Sequence, residues 1–245
     1  MTMNFTPRLL GVFAIAMSGG AVAIALAAAP APALANGGDA THPTVVELYE
    51  GQGCSSCPPA NANVNAIAGR PDVLALNFAV TYWDQLGWKD SFAKPAFTAR
   101  QWDYARAAGR PQVATPQVVI NGRGTVVGSN AAQLAAAIRA NARGNSGPAI
   151  ARVGAEVKIG AGAGGAATVW LVRYDPRTIS VPIKAGENDG KTLPHRNVVR
   201  SLDAIGTWKG QAITIALPAA GEATYRSAIL VQQGKGGRIV AATRI

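Results

Sequence analysis

The spacing of apolar and polar positions changes period several times between residues 44 and 143, which indicates strands mixed with helices. Short apolar, β-branched runs predict four strands, at residues 44–49, 72–80, 117–120 and 125–127. Apolar residues at helical spacing predict three helices, at residues 60–68, 95–108 and 131–142. The predicted order of elements is therefore β-α-β-α-β-β-α.

The pattern changes after residue 143, where short alternating runs replace the helical ones. A Gly-, Asn- and Pro-containing stretch at residues 144–148 predicts a linker. Beyond it, alternation predicts strands at residues 149–159, 167–174, 179–183, 211–217, 225–232 and 238–242. Gly-rich turns separate these runs, as expected of an antiparallel sandwich.

The chain contains two cysteines, Cys54 and Cys57, and both fall where the first predicted strand meets the first predicted helix. That position within a β-α-β-α-β-β-α order is typical of the thioredoxin fold. We therefore expect an α/β, thioredoxin-like N-terminal domain at residues 44–143. A mostly β, antiparallel, sandwich-like C-terminal domain is expected at residues 149–245.

The N-terminus has the pattern of a secretory signal peptide. A single charge at Arg8 precedes an apolar, Ala-rich run, and the segment ends in Ala33-Leu34-Ala35. We expect cleavage after Ala35, a short tail at residues 36–43 and a periplasmic or secreted mature protein without a stable membrane span. The alternative is a retained membrane anchor, since the run approaches the length of about 20 residues that spans a bilayer.

The charge is strongly basic, with a formal value of +10. Residues 1–35 carry only Arg8, so their removal leaves +10 − 1 = +9. The basic residues form no dense block and no aromatic-interleaved helix. We therefore attribute the charge to solubility and expect no nucleic-acid partner.

The Cys54-Ser55-Ser56-Cys57 sequence carries the strongest chemical signal. Unpaired N–H groups and a partial positive charge at a helix N-terminus stabilise a thiolate, so Cys54 is the expected nucleophile. Cys57, one turn into the helix, would resolve a mixed disulfide. Pro116 lies directly before the third strand, where a cis-proline opposite the cysteines would align the backbone of a substrate.

Several short stretches carry a more specific resemblance. They are residues 45–49, 53–60, 82–84, 86–90, 98–101, 104–105 and 115–117. Together they resemble a group of secreted bacterial proteins within the thioredoxin-like superfamily that is catalogued as domain-of-unknown-function family 1223. The resemblance extends from about residue 44 to the C-terminus. It implies a fold but no established substrate.

A segment after the second strand adds candidate substrate-binding residues. Tyr82, Trp83 and Trp88 could line an aromatic groove beside the thiol, together with Thr115, although aromatic residues equally pack cores. Asp84 could accept a proton from Cys57. Its alternatives are to cap the next turn or to pair with a nearby basic residue.

A second polar cluster is predicted in the β-rich half, from Glu187, Asn188, His195 and Arg200. It could form a site at an interface with the first domain, or a hydrogen-bonded turn that orders a long loop. One histidine without a second ligand makes a poor metal site, so we expect no metal and no cofactor there.

Three functions fit these features. The first is a thiol–disulfide oxidoreductase or redox sensor that acts on a protein thiol or disulfide in the periplasm. The second is a redox-inert adaptor, and the third is a module in which both thiolates bind a soft metal such as copper(I). A solvent-accessible Cys54 sulfur beside a cis Pro116 would support the first function, and a Cys54 buried away from solvent would rule it out.

Overall fold

An eight-stranded mixed sheet dominates the computed structural model, which describes residues 1–3 and 38–245. The predicted signal peptide and the first residues of the predicted tail therefore fall largely outside the described residues. Residues 38–245 belong to one compact unit. Among the described residues, no helix has the length and apolar character needed to cross a membrane.

The first part of the chain has the elements that its periodicity predicts. Its strands are β1 (Thr44–Glu50), β2 (Val73–Ala79), β3 (Gln117–Ile120) and β4 (Gly124–Val126). Its helices are α1 (Pro58–Ile67), α2 (Pro95–Ala107) and α3 (Ala131–Ala140), with a short 3₁₀ turn at Asp84–Leu86. Proline opens both α1 and α2, where its missing N–H costs nothing.

The second part contains strands only. They are β5 (Ile150–Val153), β6 (Glu156–Ile159), β7 (Ala167–Asp175), β8 (Ile179–Pro182), β9 (Thr192–His195), β10 (Val198–Trp208), β11 (Ile213–Ala216), β12 (Arg226–Gln233) and β13 (Ile239–Arg244). The sequence does not predict β9 or β10. Polar residues interrupt the apolar alternation there, and two register shifts in the β10–β7 pairing break it further.

The strand order of the large sheet is β13-β12-β7-β10-β2-β1-β3-β4. Strands from both halves of the chain therefore belong to one sheet, and the described residues contain three short helices. The expectation of a thioredoxin-like α/β domain followed by a separate β domain is wrong. The fold is mostly β, and a possible boundary at residues 144–148 stays a prediction.

Asn197 joins the two halves of this sheet. Val198 of β10 pairs in parallel with Asn77 of β2, and the Asn77 amide donates to the Asn197 carbonyl at 3.0 Å. The Asn197 side chain donates to the Ala75 carbonyl at 2.8 Å. Its backbone is left-handed, with φ of 52°, a conformation that asparagine tolerates better than most residues.

Both faces of the large sheet are covered. On one face of the first half, apolar residues of β1 and β3 pack against α1 and α3. On the opposite face, Phe97 and Tyr104 of α2 share a core with Phe78 of β2 and Leu230 of β12. The three-stranded sheet β11-β6-β5 covers β7, β10 and β12 around the buried Trp208. Double coverage explains why β1 and β2 are buried along their whole length.

A buried ion pair ties β1 to α2 and β12. Arg100 Nε donates to Glu47 Oε1 at 2.8 Å, and Arg100 Nη1 donates to Gln232 Oε1 at 2.9 Å. The Tyr104 hydroxyl donates to the other Glu47 oxygen. Burial lowers the pKa of Arg100, but the charge of Glu47, the neighbouring Tyr104 and Tyr49 and the hydrogen bond to Glu47 together outweigh it, so the pKa lies above its ordinary value.

Replacing Arg100 by Met should therefore destabilise the protein strongly, because it leaves the Glu47 carboxylate buried and unpaired. We expect the free energy of unfolding to fall by about 3–5 kcal/mol in urea titrations. Arg106→Met on the same helix is the control, since Arg106 is exposed and its pairing with Asp103 is worth less than about 1 kcal/mol. Equal losses in the two variants would contradict the role assigned to the buried pair.

Candidate functional site

Cys54 and Cys57 form a disulfide at the N-terminus of α1. The Cys57 amide donates to the Cys54 carbonyl at 3.2 Å, and the Asn61 amide continues the helix by donating to the Cys57 carbonyl at 3.0 Å. The exposed fractions of the two cysteines are 0% and 1%. Neither sulfur is therefore open to solvent, although Ser55 and Ser56 between them are exposed.

A thin layer of side chains covers the Cys54 sulfur. Thr115 Oγ1 donates to Cys54 Sγ at 3.3 Å and accepts from Trp83 Nε1 at 2.7 Å. Ser56 Oγ lies 3.4 Å from the same sulfur and donates to the Thr115 carbonyl at 3.4 Å. Thr115 and Trp83 are half-buried and Ser56 is exposed, so a single layer separates Cys54 from solvent.

Two predicted site residues, Pro116 and Trp83, lie at the side chains that cover Cys54. The Thr115–Pro116 peptide bond is cis, the expected isomer. The Trp83 ring lies against the loop that carries Cys54, where a Cβ added to Gly51 would lie 2.9 Å from Trp83 Cδ1. A glycine at position 51 therefore lets the indole approach the loop closely.

The loop at residues 183–191, between β8 and β9, covers the other side of the cysteine segment. Asn188 Nδ2 donates to the Gln52 and Cys54 carbonyls, both at 2.9 Å. The Ser55 amide donates to Glu187 Oε2 at 3.0 Å, which holds the pKa of Glu187 below its ordinary value. The later half of the chain therefore supplies two polar side chains to the disulfide segment.

The predicted polar cluster does not assemble in one place. Glu187 and Asn188 contact the disulfide segment, whereas His195 lies beneath α1. The Arg200 guanidinium instead stacks on Phe92, 4.6 Å from the ring centre, and lies 3.7 Å from Asp175.

The remaining predicted residues hold the loop that follows β2 and do not line an open groove. Trp88 Nε1 donates to Gln52 Oε1 at 2.8 Å, and the Tyr82 hydroxyl donates to Gln101 Oε1 at 3.2 Å. Asp84 accepts the Asp90 amide at 3.1 Å. The Asp84 carboxylate therefore closes the segment between residues 84 and 90.

A buried polar cluster lies at the base of the cysteine loop, centred on the Glu50 carboxylate at the end of β1. Glu50 Oε1 accepts from Asn77 Nδ2, at 2.6 Å, and lies 2.8 Å from His195 Nδ1. Asn61 Nδ2 donates to both Glu50 oxygens, at 2.8 and 2.9 Å. These contacts fix the end of β1 against α1, β2 and β9 at once.

Glu50 and His195 form an ion pair in this cluster. Burial raises the pKa of Glu50, but the charge of His195 and the hydrogen bonds from neighbouring side chains outweigh it, so the pKa lies below its ordinary value. Burial lowers the pKa of His195, but Glu50 and Asp90 outweigh it and the pKa is raised. His195 Nε2 is buried without a hydrogen-bond partner among the described residues.

Sequence reasoning does not find Glu50, Asn61 or Asp90. Asp90 accepts the Gln52 and Phe92 amides, each at 2.8 Å, and so anchors the segment that leads to Cys54. One signal was available, because Asn61 and Asn65 are four residues apart on α1 and therefore share a face. That face contacts the segment around β9, where Asn65 accepts the Arg196 amide at 3.1 Å.

Comparison of the sequence with known families gives a match. The model of DUF1223, described as a protein of unknown function, matches residues 45–232. No curated protein matches the chain. The described residues contain no cluster of three or more His, Cys, Asp or Glu side chains that could hold a metal ion.

Two solved structures are similar to this one. A crystal structure of a protein from Agrobacterium tumefaciens is 33% identical, covers 85% of this chain and 94% of its own, and superposes with a TM-score of 0.70. HBP35 of Porphyromonas gingivalis is 13% identical, covers 85% of this chain and 76% of its own, and has a TM-score of 0.56. The second likeness concerns the fold alone.

The Glu50–His195 pair makes stability depend on pH in a defined direction. Because the pKa of His195 is raised above 6.5 in the folded protein, its contribution is complete below pH 6.5 and is lost as pH rises through the raised value. Because the pKa of Glu50 is lowered below 4.5, its contribution is lost as pH falls through the lowered value. Urea unfolding should therefore show stability that is constant just below pH 6.5 and falls as pH rises above it through the raised pKa of His195.

The chain offers a matched control, since His42 is the other histidine. His195→Gln should remove this alkaline loss of stability, whereas His42→Gln should retain it. An unchanged pH dependence in His195→Gln would contradict the assignment of the loss to the buried pair.

Proposed function

The chain belongs to the DUF1223 family, and we propose that its Cys54–Cys57 disulfide exchanges with thiols of a protein partner outside the cytoplasm. The observation that carries this proposal is the pairing of a disulfide at a helix N-terminus with a hydroxyl donor on Cys54 Sγ. The hydroxyl donor would stabilise a thiolate at Cys54 once the disulfide is reduced. The helix adds only the positive end of its dipole, because Cys57 is the N-cap and Pro58 and Pro59 have no N–H to donate.

The exchange would proceed in two balanced steps. A partner thiolate attacks Cys54 Sγ, forms a mixed disulfide and releases Cys57 as a thiolate. A second partner thiol, as its thiolate, then attacks the partner sulfur of the mixed disulfide and releases Cys54. The partner loses two electrons and becomes a disulfide, and the Cys54–Cys57 pair gains them. The reverse sequence would reduce a partner disulfide.

A purely structural purpose for this disulfide has little energetic support. A bridge between residues three positions apart closes a very short loop, and the stabilisation by loss of chain entropy grows with loop length. The buried contacts of Glu50 and Asp90 already fix the same segment. A contribution to stability therefore does not explain the disulfide, whereas thiol–disulfide exchange does.

Cys54 is buried, which by the expectation from sequence rules out exchange, so exchange is proposed only for a conformation in which this sulfur is uncovered. A partner can reach Sγ only after the covering side chains move, because the exposed fraction of Cys54 is 0%. Ser56 and Thr115 contact Cys54 Sγ and Trp83 is hydrogen-bonded to Thr115, so exchange requires these side chains to move.

The same burial favours the redox-inert adaptor as a second candidate function. In that case the disulfide stays oxidised under all physiological conditions, and the surface around the exposed Ser55 and Ser56 serves only for binding. A measurement of the redox couple separates the two candidates.

The reduction potential of the mature protein, equilibrated against glutathione and dithiothreitol buffers, is the decisive measurement. Exchange predicts a value between about −270 and −120 mV, the span from thioredoxin to the strongest periplasmic oxidant. A value below about −300 mV would mark a disulfide that resists reduction and would favour the adaptor. Cys54→Ser, which cannot form the bridge, provides the baseline.

Thr115→Val tests the donor to the Cys54 sulfur. Without the hydroxyl the Cys54 thiolate loses a hydrogen bond, so the reduced form is less stable and the potential becomes more negative. A shift of about 30 mV is expected, equivalent to about 1.4 kcal/mol. Thr115→Ser keeps the hydroxyl and should keep the potential; if Val and Ser variants have the same potential, the hydrogen bond does not stabilise the thiolate.

A further inference from the structure

A cavity of about 620 Å³ lies beside the end of α1 and the β7–β8 turn, away from the disulfide segment. Basic side chains dominate its lining. Its arginines are Arg70, Arg177, Arg196, Arg226 and Arg244, and no acidic residue lines it. Tyr174 adds a phenol to the same wall.

Three of these arginines already have partners in the fold. Arg70 binds Asp72 at 2.6 Å, and Arg177 binds Asp175 at 2.6 Å. Arg244 donates to main-chain carbonyls, including that of Pro71 at 3.0 Å. The guanidinium groups of Arg70, Arg177 and Arg244 are therefore already bound within the fold.

The other two arginines do not have such partners. Among residues 38–245, the guanidinium groups of Arg196 and Arg226 make no hydrogen bond and no ion pair with a carboxylate. Arg196 is half-buried, so its charge has lost part of its hydration without gaining a partner, whereas Arg226 is exposed and contributes its charge from the rim. Two unpaired cations that line one cavity attract an anion from solution.

We propose that this cavity binds a phosphoryl group or a similar oxyanion that carries at least two negative charges. The planar guanidinium presents paired N–H donors that match the oxygens of phosphate in bidentate fashion. The guanidinium groups of Arg196 and Arg226 supply positive charge that no group in residues 38–245 neutralises. The ligand could be a soluble phosphate ester or the headgroup of an anionic lipid, because both present this chemistry.

The position of the cavity in the chain makes an anionic lipid a ligand that must be tested. Ala40 lines the cavity and follows the predicted cleavage position, Ala35, by five residues. If the N-terminal segment is retained in a membrane, the cavity lies close in sequence to lipid headgroups. A soluble ligand needs no such proximity, so the two sources give different results in the same experiment.

The test measures binding of inorganic pyrophosphate by titration calorimetry, and binding to phosphatidylglycerol vesicles by co-sedimentation with phosphatidylcholine vesicles as reference. The variant is Arg196→Gln with Arg226→Gln. The matched control is Arg123→Gln with Arg139→Gln, which removes the same charge from exposed positions outside the cavity. Melting temperatures without ligand verify that both variants fold.

Loss of the two guanidinium groups should weaken binding at least about 30-fold, because each one donates charge-assisted hydrogen bonds to the anion. The control should bind within about 3-fold of the unaltered protein, the change expected from screened distant charges. Pyrophosphate binding with this pattern supports a soluble ligand, and vesicle binding alone with this pattern supports a lipid headgroup. Equal weakening in both variants, or no binding to either probe, overturns the proposal.

Discussion

The parallel contact between β2 and β10 at Asn197 is the constraint on which the architecture depends. Without it, β2 would be an edge strand and the strands of the second half would form a sheet of their own. With it, Asn77 pairs with Val198, and the Asn197 side chain secures the junction through the Ala75 carbonyl. His195 ends β9 only three residues before Val198, so the junction places the His195 side chain next to the Glu50 carboxylate.

The candidate site is therefore composite. The cysteines and Thr115 belong to the first half of the chain, whereas Asn188 and His195 come from the second. Asn188 of the second half therefore contacts the disulfide segment directly, and His195 contacts Asn61 and Glu50 at the base of that segment. A role for residues 149–245 in shaping the cysteine environment follows directly from these contacts, whichever reaction the disulfide performs.

The sequence predicts local features well and long-range pairing poorly. Periodicity and proline placement identify β1, α1, β2, α2 and α3, because those signals are short in range. They do not identify β10, whose alternation is broken by polar residues and bulges, and the predicted fold class is wrong for that reason. The Glu50 cluster is equally hidden, since one carboxylate at the end of an apolar strand looks like a loop residue until its partners on β2 and β9 are known.

The strand order also constrains how the protein reaches its folded state. Val198 follows Ala79 by 119 positions, so a chain that emerges from its N-terminus can pair β2 with β1 long before β10 exists. During that interval the open side of β2 presents unpaired N–H and C=O groups beside an apolar surface, a template for association with other chains. Vectorial synthesis of this protein therefore passes through an aggregation-prone stage that ends only when the C-terminal strands arrive, which gives holdase-type chaperones a specific edge to shield.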